Sequence, residues 1–299
     1  MANSIDAPSD SGVYKMDWES RLQTRLDKPE TWKDVADVSF SDTYSLNLPY
    51  MSTEFVAQTG TRGTAYGFSD FTLTNEALAI STKKLVPVFI DRADLSQCSY
   101  VNQMDIADRQ GKLLSDQVET AMLADHGNWT NVGDSSGTIT SGVTTAIEVT
   151  STSIPTIIRG VRRIVNVANG SDLLKTNGLF FVWRAVDFEA LEAYAQSNGF
   201  NLADSALKNG IDSGYFMGGV YHYISNSHAS GGHVMAGVRK ILKIGILRST
   251  WGKIVINQDP AAGASTYGPL SGISVVARAD FGIKTPTGLV TILLDINVS

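Results

Sequence analysis

With 299 residues, 43% of them hydrophobic and 18% charged, the chain can bury a sizeable core without having to be one compact unit. A formal net charge of -6 excludes a surface built to grip nucleic acid by neutralising phosphates, though not one that merely encloses it. The single cysteine, Cys98, excludes an intrachain disulfide, no apolar run of about 18 residues marks a membrane span, and the opening Met1-Ala2-Asn3-Ser4-Ile5-Asp6 lacks the features of a secretory signal, so the chain is expected to stay in the cytoplasm.

Residues 1–48 mix charges with scattered apolar residues, Trp18, Leu22, Leu26, Trp32 and Val35. They read as an arm that holds a short helix near Trp18 to Leu26 and finds its apolar partners on another element or another subunit. Residues 49–92 change character. Beyond the glycine-rich Gly60-Thr61-Arg62-Gly63, Leu78, Ile80 and Thr82 and then Val86, Val88 and Ile90 fall on alternate positions, the period of a strand. This predicts a long hairpin about a glycine-rich tip, and a hairpin that projects needs a neighbour to rest on. Lys83 and Lys84 within it read as ion-pairing lysines rather than crosslinking ones.

From Asp94 to Gly127 the spacing predicts one helix of about nine turns. Val101, Met104, Ala107, Gly111, Leu114, Val118 and Ala121 recur every three or four residues as one apolar stripe. Asp105 with Arg109 and Asp108 with Lys112 stand four apart on the other face, acid first. Asp94 or Ser96 is placed to cap the first turn, and Gly127 to end the last in a left-handed conformation. A helix of this length needs neighbours along its whole extent, which makes it a spine. Cys98, near its start, reads as an inert buried thiol.

Residues 128–152 are rich in Gly, Ser and Thr, and Thr138 to Val149 can form short strands. Gly133-Asp134-Ser135-Ser136-Gly137 matches the G-x-S-x-G pattern of a hydrolase elbow, which makes Ser135 a candidate nucleophile. The elbow needs a buried strand before the serine and a helix after it. Here polar loop residues flank it, so a serine hydrolase stays a lesser alternative of a different class.

From Ser153 helix and strand alternate. Ser153 caps a helix through Ile157, Ile158, Val161, Ile164, Val165 and Ala168, with Pro155 in its first turn. Leu179 to Trp183 reads as a buried strand, Asp187 to Gln196 as a helix, and Gly218 to Ile224 as another strand. Together they predict an α/β lobe with its own core over about 153–245. His222, His228 and His233 fit no common zinc spacing and read as loop histidines beside Gly231-Gly232. Arg159, Arg162 and Arg163 read as the solvated face of a helix.

The last fifty residues carry the clearest strand signal. Ile273, Val275, Ala277, Ala279, Phe281 and Ile283 alternate with Ser274, Arg278, Asp280 and Lys284, the pattern of a half-buried strand. Thr285-Pro286-Thr287-Gly288 reads as a type I turn. Val290, Ile292, Leu294, Ile296 and Val298 alternate again, so the two strands are expected to close on each other in fixed register.

No phosphate loop, dinucleotide fingerprint or metal cluster emerges, so no catalytic, cofactor-binding or metal-binding residue is assigned, no cofactor is expected, and the chain is not read as an enzyme. An arm, a long hairpin, a rod-like helix and a separate lobe expose too much edge for a monomer. Self-association is expected to complete them, with the limbs gaining burial only from adjacent copies.

Several motifs sharpen this expectation. Ile80-Ser81-Thr82-Lys83-Lys84-Leu85-Val86-Pro87-Val88-Phe89-Ile90-Asp91, with Leu95-Ser96 and the long helix after it, resembles the hairpin-return strand and spine helix of the major capsid proteins of tailed double-stranded DNA bacteriophages. Arg278-Ala279-Asp280-Phe281-Gly282-Ile283-Lys284-Thr285-Pro286 with Leu289-Val290 is similar to their closing strands, and Gly178 to Trp183 and Gly219 to Asn226 are similar to their α/β lobe. The resemblance covers roughly residues 50–299. It implies an α+β fold with an N-terminal arm at 1–48, an extended β-hairpin loop at 49–92, a peripheral domain with the spine helix at 93–152, an axial domain at 153–245, and C-terminal strands at 246–299 returning to the peripheral domain. It further implies self-assembly through pentamers and hexamers into an icosahedral head shell that encloses double-stranded DNA without sequence-specific binding and without a membrane. Portal and scaffolding proteins, and decoration proteins, are the partners such a shell takes. Localisation would be the virion, after assembly in the host bacterial cytoplasm, and Met1 suggests a scaffold encoded separately. Encapsulin-type nanocompartment shells, which hold enzyme cargo, resemble the same fold and are the alternative.

Overall fold

A computed structural model describes residues 11–51, 59–63, 67, 73–91, 100–168, 170–197, 213–216, 220–225, 227, 232–257 and 272–299. Two helices open it, α1 (Ser11–Leu26) and α2 (Thr31–Val35), followed by strands β1 (Asp37–Ser41), β2 (Ser45–Met51), β3 (Leu73–Ala79) and β4 (Thr82–Asp91). The spine helix α3 (Tyr100–Ala124) comes next, then β5 (Thr130–Ser135) and β6 (Thr138–Ser141). The alternating region holds α4 (Ile154–Val167), α5 (Ser171–Asn177), β7 (Leu179–Trp183), α6 (Ala185–Ser197), β8 (Ser213–Phe216), β9 (Val220–Ile224) and β10 (His233–Val238). Strands β11 (Lys243–Leu247), β12 (Lys253–Asn257), β13 (Gly272–Lys284) and β14 (Leu293–Asn297) complete the chain.

Among the described residues the strands form three sheets. In the five-stranded sheet β13 is the axis. β4 runs antiparallel along one side of it, while β12 and β11 lie along the other, against residues 274–278 and 281–284, and β1 runs parallel outside β11. The seven-stranded sheet has the order β6-β5-β14-β10-β7-β9-β8, and β2 pairs with β3 alone. The alternation read in β13 holds: Val275, Ala277, Ala279 and Phe281 are fully buried. Asp280, on its polar set, is buried as well, held by the Arg278 guanidinium, whose Nε donates to Oδ1 at 2.8 Å.

The spine helix is described from Tyr100 onward. It has 25 residues, about 37 Å, and its predicted start, including Cys98 and the caps Asp94 and Ser96, lies outside the described residues. At the other end a 3-10 turn, Asp125–Asn128, takes over. Gly127 lies inside that turn and has no positive φ, so it is not the left-handed cap expected of it. The stripe itself is buried at Ala107, Gly111, Leu114 and Val118, then shifts to Met122 and Leu123.

The arm finds its apolar partners on other elements of its own chain. Trp18, Leu22 and Leu26 on α1, and Trp32 on α2, are fully buried against the spine helix and five-stranded sheet of their own chain. A β-carbon on Gly111 would stand 3.0 Å from Arg25 Cβ, which is how closely α1 crosses α3. Each leucine buried this way stabilises the fold by roughly 1.5–3 kcal/mol, so this part of the arm needs no neighbouring copy.

The closing strands also part company. β13 and β14 do not pair: β14 lies between β5 and β10 in the seven-stranded sheet. The Thr285-Pro286-Thr287-Gly288 turn is the entrance to a 3-10 segment, Thr287–Ile292, that carries the chain from one sheet to the other. The reason is legible in the sequence. Leu293 breaks the alternation, and Ile292 to Ile296 are buried on both faces, the signature of a central strand rather than a half-exposed one. Among the described residues one continuous hydrophobic cluster runs through both sheets, from Trp18 and Phe281 to Phe181 and Leu294.

One smaller expectation changes. Ser153 makes no side-chain cap on α4; its hydroxyl instead donates to the Glu148 carbonyl at 2.8 Å. Pro155 does sit in the first turn of α4.

Candidate assembly surface

The β2–β3 hairpin pairs Ser45 with Ala79 at its base and Met51 with Leu73 at its outer end. Its base is seated by a small cluster of its own, in which Leu78, Ile80 and Leu247 are buried with Leu46 and Leu48 packed against them. Polar links reinforce the seat: Lys284 Nζ lies 2.9 Å from Glu76 Oε1 and donates to the Ala77 carbonyl at 2.9 Å, while Thr287 Oγ1 donates to Glu76 at 2.6 Å. Residues 59–63 are exposed, and β-carbons on Gly60 and Gly63 would meet nothing within 4 Å. Leu73, at the outer end of β3, is 62% exposed. A two-stranded ribbon of this kind is marginal in water without a surface to lie on.

Next to it runs an unprotected margin. Among the described residues β4 pairs only with β13, leaving its other side without a strand. Along it Lys83, Leu85 and Pro87 are exposed, Leu85 at 58%. Lysine and proline on an edge strand discourage indiscriminate strand addition. Lys83 stands 5.9 Å from the ring of Tyr44, itself half exposed. Hairpin, edge and exposed apolar side chains thus form a surface with unmet burial.

What keeps that surface rigid is a row of buried polar residues on the spine helix. Gln110 accepts from Trp18 Nε1 at 2.9 Å and donates to the carbonyls of Val86 at 2.8 Å and Val275 at 3.1 Å, tying α1, β4 and β13 to one side chain. Ser115 accepts from Trp32 Nε1 at 2.9 Å. Glu119 accepts from Ser225 Oγ. Burial lifts the Glu119 carboxyl above its ordinary range, the Ser225 hydroxyl opposes the shift, and Glu30 and Asp116 add to it. Sequence reading missed these three because they flank the apolar stripe. The helix is enclosed by the arm on one side and strands on the other, so its buried sector is wider than one stripe.

The residues singled out in the sequence scatter. Ser135 is exposed at the end of β5, and Ser136 (φ 55) and Gly137 (φ 83) form the tight turn back into β6. With positive φ at both central positions this is a hairpin turn, and a strand follows where an elbow requires a helix, so the hydrolase context is not present at Ser135. His222 is no loop histidine. It is buried on β9, accepts from Trp183 Nε1 at 2.9 Å through Nδ1, and is pushed down to about 3 by burial. His228 lies outside the described residues. His233 opens β10 and meets Asp295 and His126, a grouping that no local spacing announces. Arg159 and Arg163 are exposed on α4, as a solvated face requires.

No family model and no curated protein matches the sequence. Solved structures do match the fold. A structure from Mycobacterium phage Che8 is 15% identical, with a TM-score of 0.56 and 85% of each chain covered. The asymmetric unit of the bacteriophage PhiM1 mature capsid is 10% identical, with a TM-score of 0.58, 91% of this chain and 88% of that one covered. A virus-like particle from Pyrococcus furiosus is 10% identical, with a TM-score of 0.58, 95% of this chain and 99% of that one covered. With these matches running over most of both chains, this protein has the α+β fold of the capsid proteins of tailed bacteriophages.

Proposed function

We propose that the chain is a major capsid protein, many copies of which assemble into the icosahedral head shell around the packaged double-stranded DNA of a tailed bacteriophage. The observation that carries this reading is the match to phage capsid structures over most of both chains, including a mature capsid. The hairpin with its exposed tip and the open β4 edge support it, because they supply heterologous surfaces whose repetition can close a shell. In this reading residues 1–48 form the arm, 49–92 the extended loop, 93–152 the peripheral domain, 153–245 the axial domain and 246–299 the returning strands. The role is structural rather than enzymatic, with self-contacts in pentamers and hexamers, and portal, scaffolding and decoration proteins as further partners. The acidic balance suits a container that confines DNA more than it binds it. The chain would assemble in the host cytoplasm and end in the virion.

A second reading, a nanocompartment shell around enzyme cargo, is supported by the match to the Pyrococcus furiosus particle. Electron microscopy of the purified chain, alone and with a candidate scaffold, tests both. Hollow icosahedral particles are expected, and their contents separate the readings: nucleic acid for a virion, protein for a compartment. A monodisperse monomer under all conditions overturns both.

A further inference from the structure

One constellation answers to a different chemistry from assembly. His126 lies in the 3-10 turn that ends the spine helix, His233 at the first position of β10, and Asp295 in the middle of β14. In sequence Asp295 is 169 residues from His126 and 62 from His233. In the fold its two carboxylate oxygens face one histidine each: Oδ2 is 3.1 Å from His126 Nδ1 and Oδ1 is 3.0 Å from His233 Nδ1. The imidazole centroids are 4.2 Å apart, tilted by 32°. Asp295 is 2% exposed, the side chains of His126 and His233 20% and 28%. The donor atoms all lie within 4.8 Å of one another.

We propose that His126, His233 and Asp295 form a binding site for a divalent transition-metal ion of the zinc type. A carboxylate buried in the middle of a sheet is costly unless compensated, and two nitrogens and one carboxylate are the donors that zinc accepts. The dimensions agree. Ligands held about 2.0–2.2 Å from an ion in a tetrahedron stand about 3.3–3.6 Å from one another, within a few tenths of an ångström of both nitrogen–oxygen separations. Drawing the two rings onto one ion needs side-chain rotation, and their partial exposure leaves a path for the ion and room for water as a fourth ligand. Imidazole donors disfavour calcium and magnesium, which prefer oxygen. The ion would clamp the end of the spine helix to the central strands of the seven-stranded sheet.

The test uses the full-length chain, freed of metal with a chelator and titrated with Co2+ and with Zn2+. One equivalent per chain is expected, with the visible absorption of low-coordinate cobalt and a rise in melting temperature with Zn2+. His126→Gln and His233→Gln should each weaken Co2+ binding by at least about tenfold, the loss that even a ligand's supporting partner can cause. A wild-type chain with no saturable cobalt signal and the same melting temperature with and without Zn2+ overturns the proposal and marks the trio as hydrogen-bonded only. Because that readout belongs to the wild-type chain, it decides the matter even if a variant fails to fold.

Discussion

A β-carbon on Gly282 would lie 2.1 Å from the carbonyl oxygen of Ala79, so the end of β3 rests directly on the backbone of β13. Gly282 pairs with Gly245 across the β11–β13 ladder, and a β-carbon there would meet Leu78 Cδ2 at 2.7 Å and Leu46 Cδ1 at 2.8 Å. Two facing glycines thus make the bed into which the hairpin base sinks. Gly282 has no positive φ, so the requirement is space alone. Gly282→Ala is expected to destabilise the chain by about 1–3 kcal/mol, the usual cost of overpacking, while Gly288→Ala, where nothing lies within 4 Å, should stay within about 0.5 kcal/mol of wild type. Chemical denaturation of both measures this; equal stability of the two variants would rule out the seat.

Gln110 serves three partners from three elements, which makes its loss disproportionate. Gln110→Leu fills the volume but strands the Trp18 indole N–H and removes the donor to Val86 and Val275. Leaving buried polar groups unsatisfied costs about 1–3 kcal/mol each, so with three bonds lost a total of about 3 kcal/mol or more is expected. Urea unfolding reads it directly, and a neutral substitution would show that the bridge contributes nothing net.

His222 sets a limit on the acid side. Its folded value near 3 lies below the ordinary 6.5 because burial excludes the imidazolium. The unfolded chain therefore binds the proton first. The stabilisation is complete above about pH 6.5 and is lost progressively as pH falls toward 3, by an amount on the order of a few kcal/mol. His222→Gln keeps an acceptor for Trp183 and removes the titration, so its unfolding free energy should vary less between pH 6.5 and 4 than that of wild type. Parallel profiles would assign the acid sensitivity elsewhere.

Leu85 tests the assembly surface without touching the core. It is exposed on β4, so Leu85→Glu should alter the melting temperature of the unassembled chain by no more than about 2 °C, a change of under 0.5 kcal/mol. Particle yield, read by sedimentation and microscopy, is expected to fall sharply. Undiminished particle formation would place this edge outside the subunit contacts.

Local periodicity made the spine helix, the β13 alternation and the extended run through β3 and β4 legible, because each depends on residues a few positions apart that share one face; β2 carried no such signal, and β4 joins β13 instead of the hairpin. The same logic failed wherever a segment's environment came from far along the chain. Trp18, Leu22 and Leu26 carry a clear apolar face, but nothing in their spacing says whether it meets a neighbouring copy or the chain's own spine helix; the crossing at Gly111 decides that. Leu293, apolar where the alternation calls for a polar residue, is the local sign of two-sided burial.

The sequence by itself determined which stretches are rigid, which are extended, and that the fold resembles a shell protein, since propensity and polarity act over one or two turns or strands. Only the tertiary structure decided that β14 leaves its predicted mate for the other sheet, that Gln110, Ser115 and Glu119 anchor three regions to one helix, and that His126 and His233 meet at Asp295. Such meetings depend on strand pairing and helix crossing between segments scores to hundreds of residues apart, and short-range pattern carries no record of them.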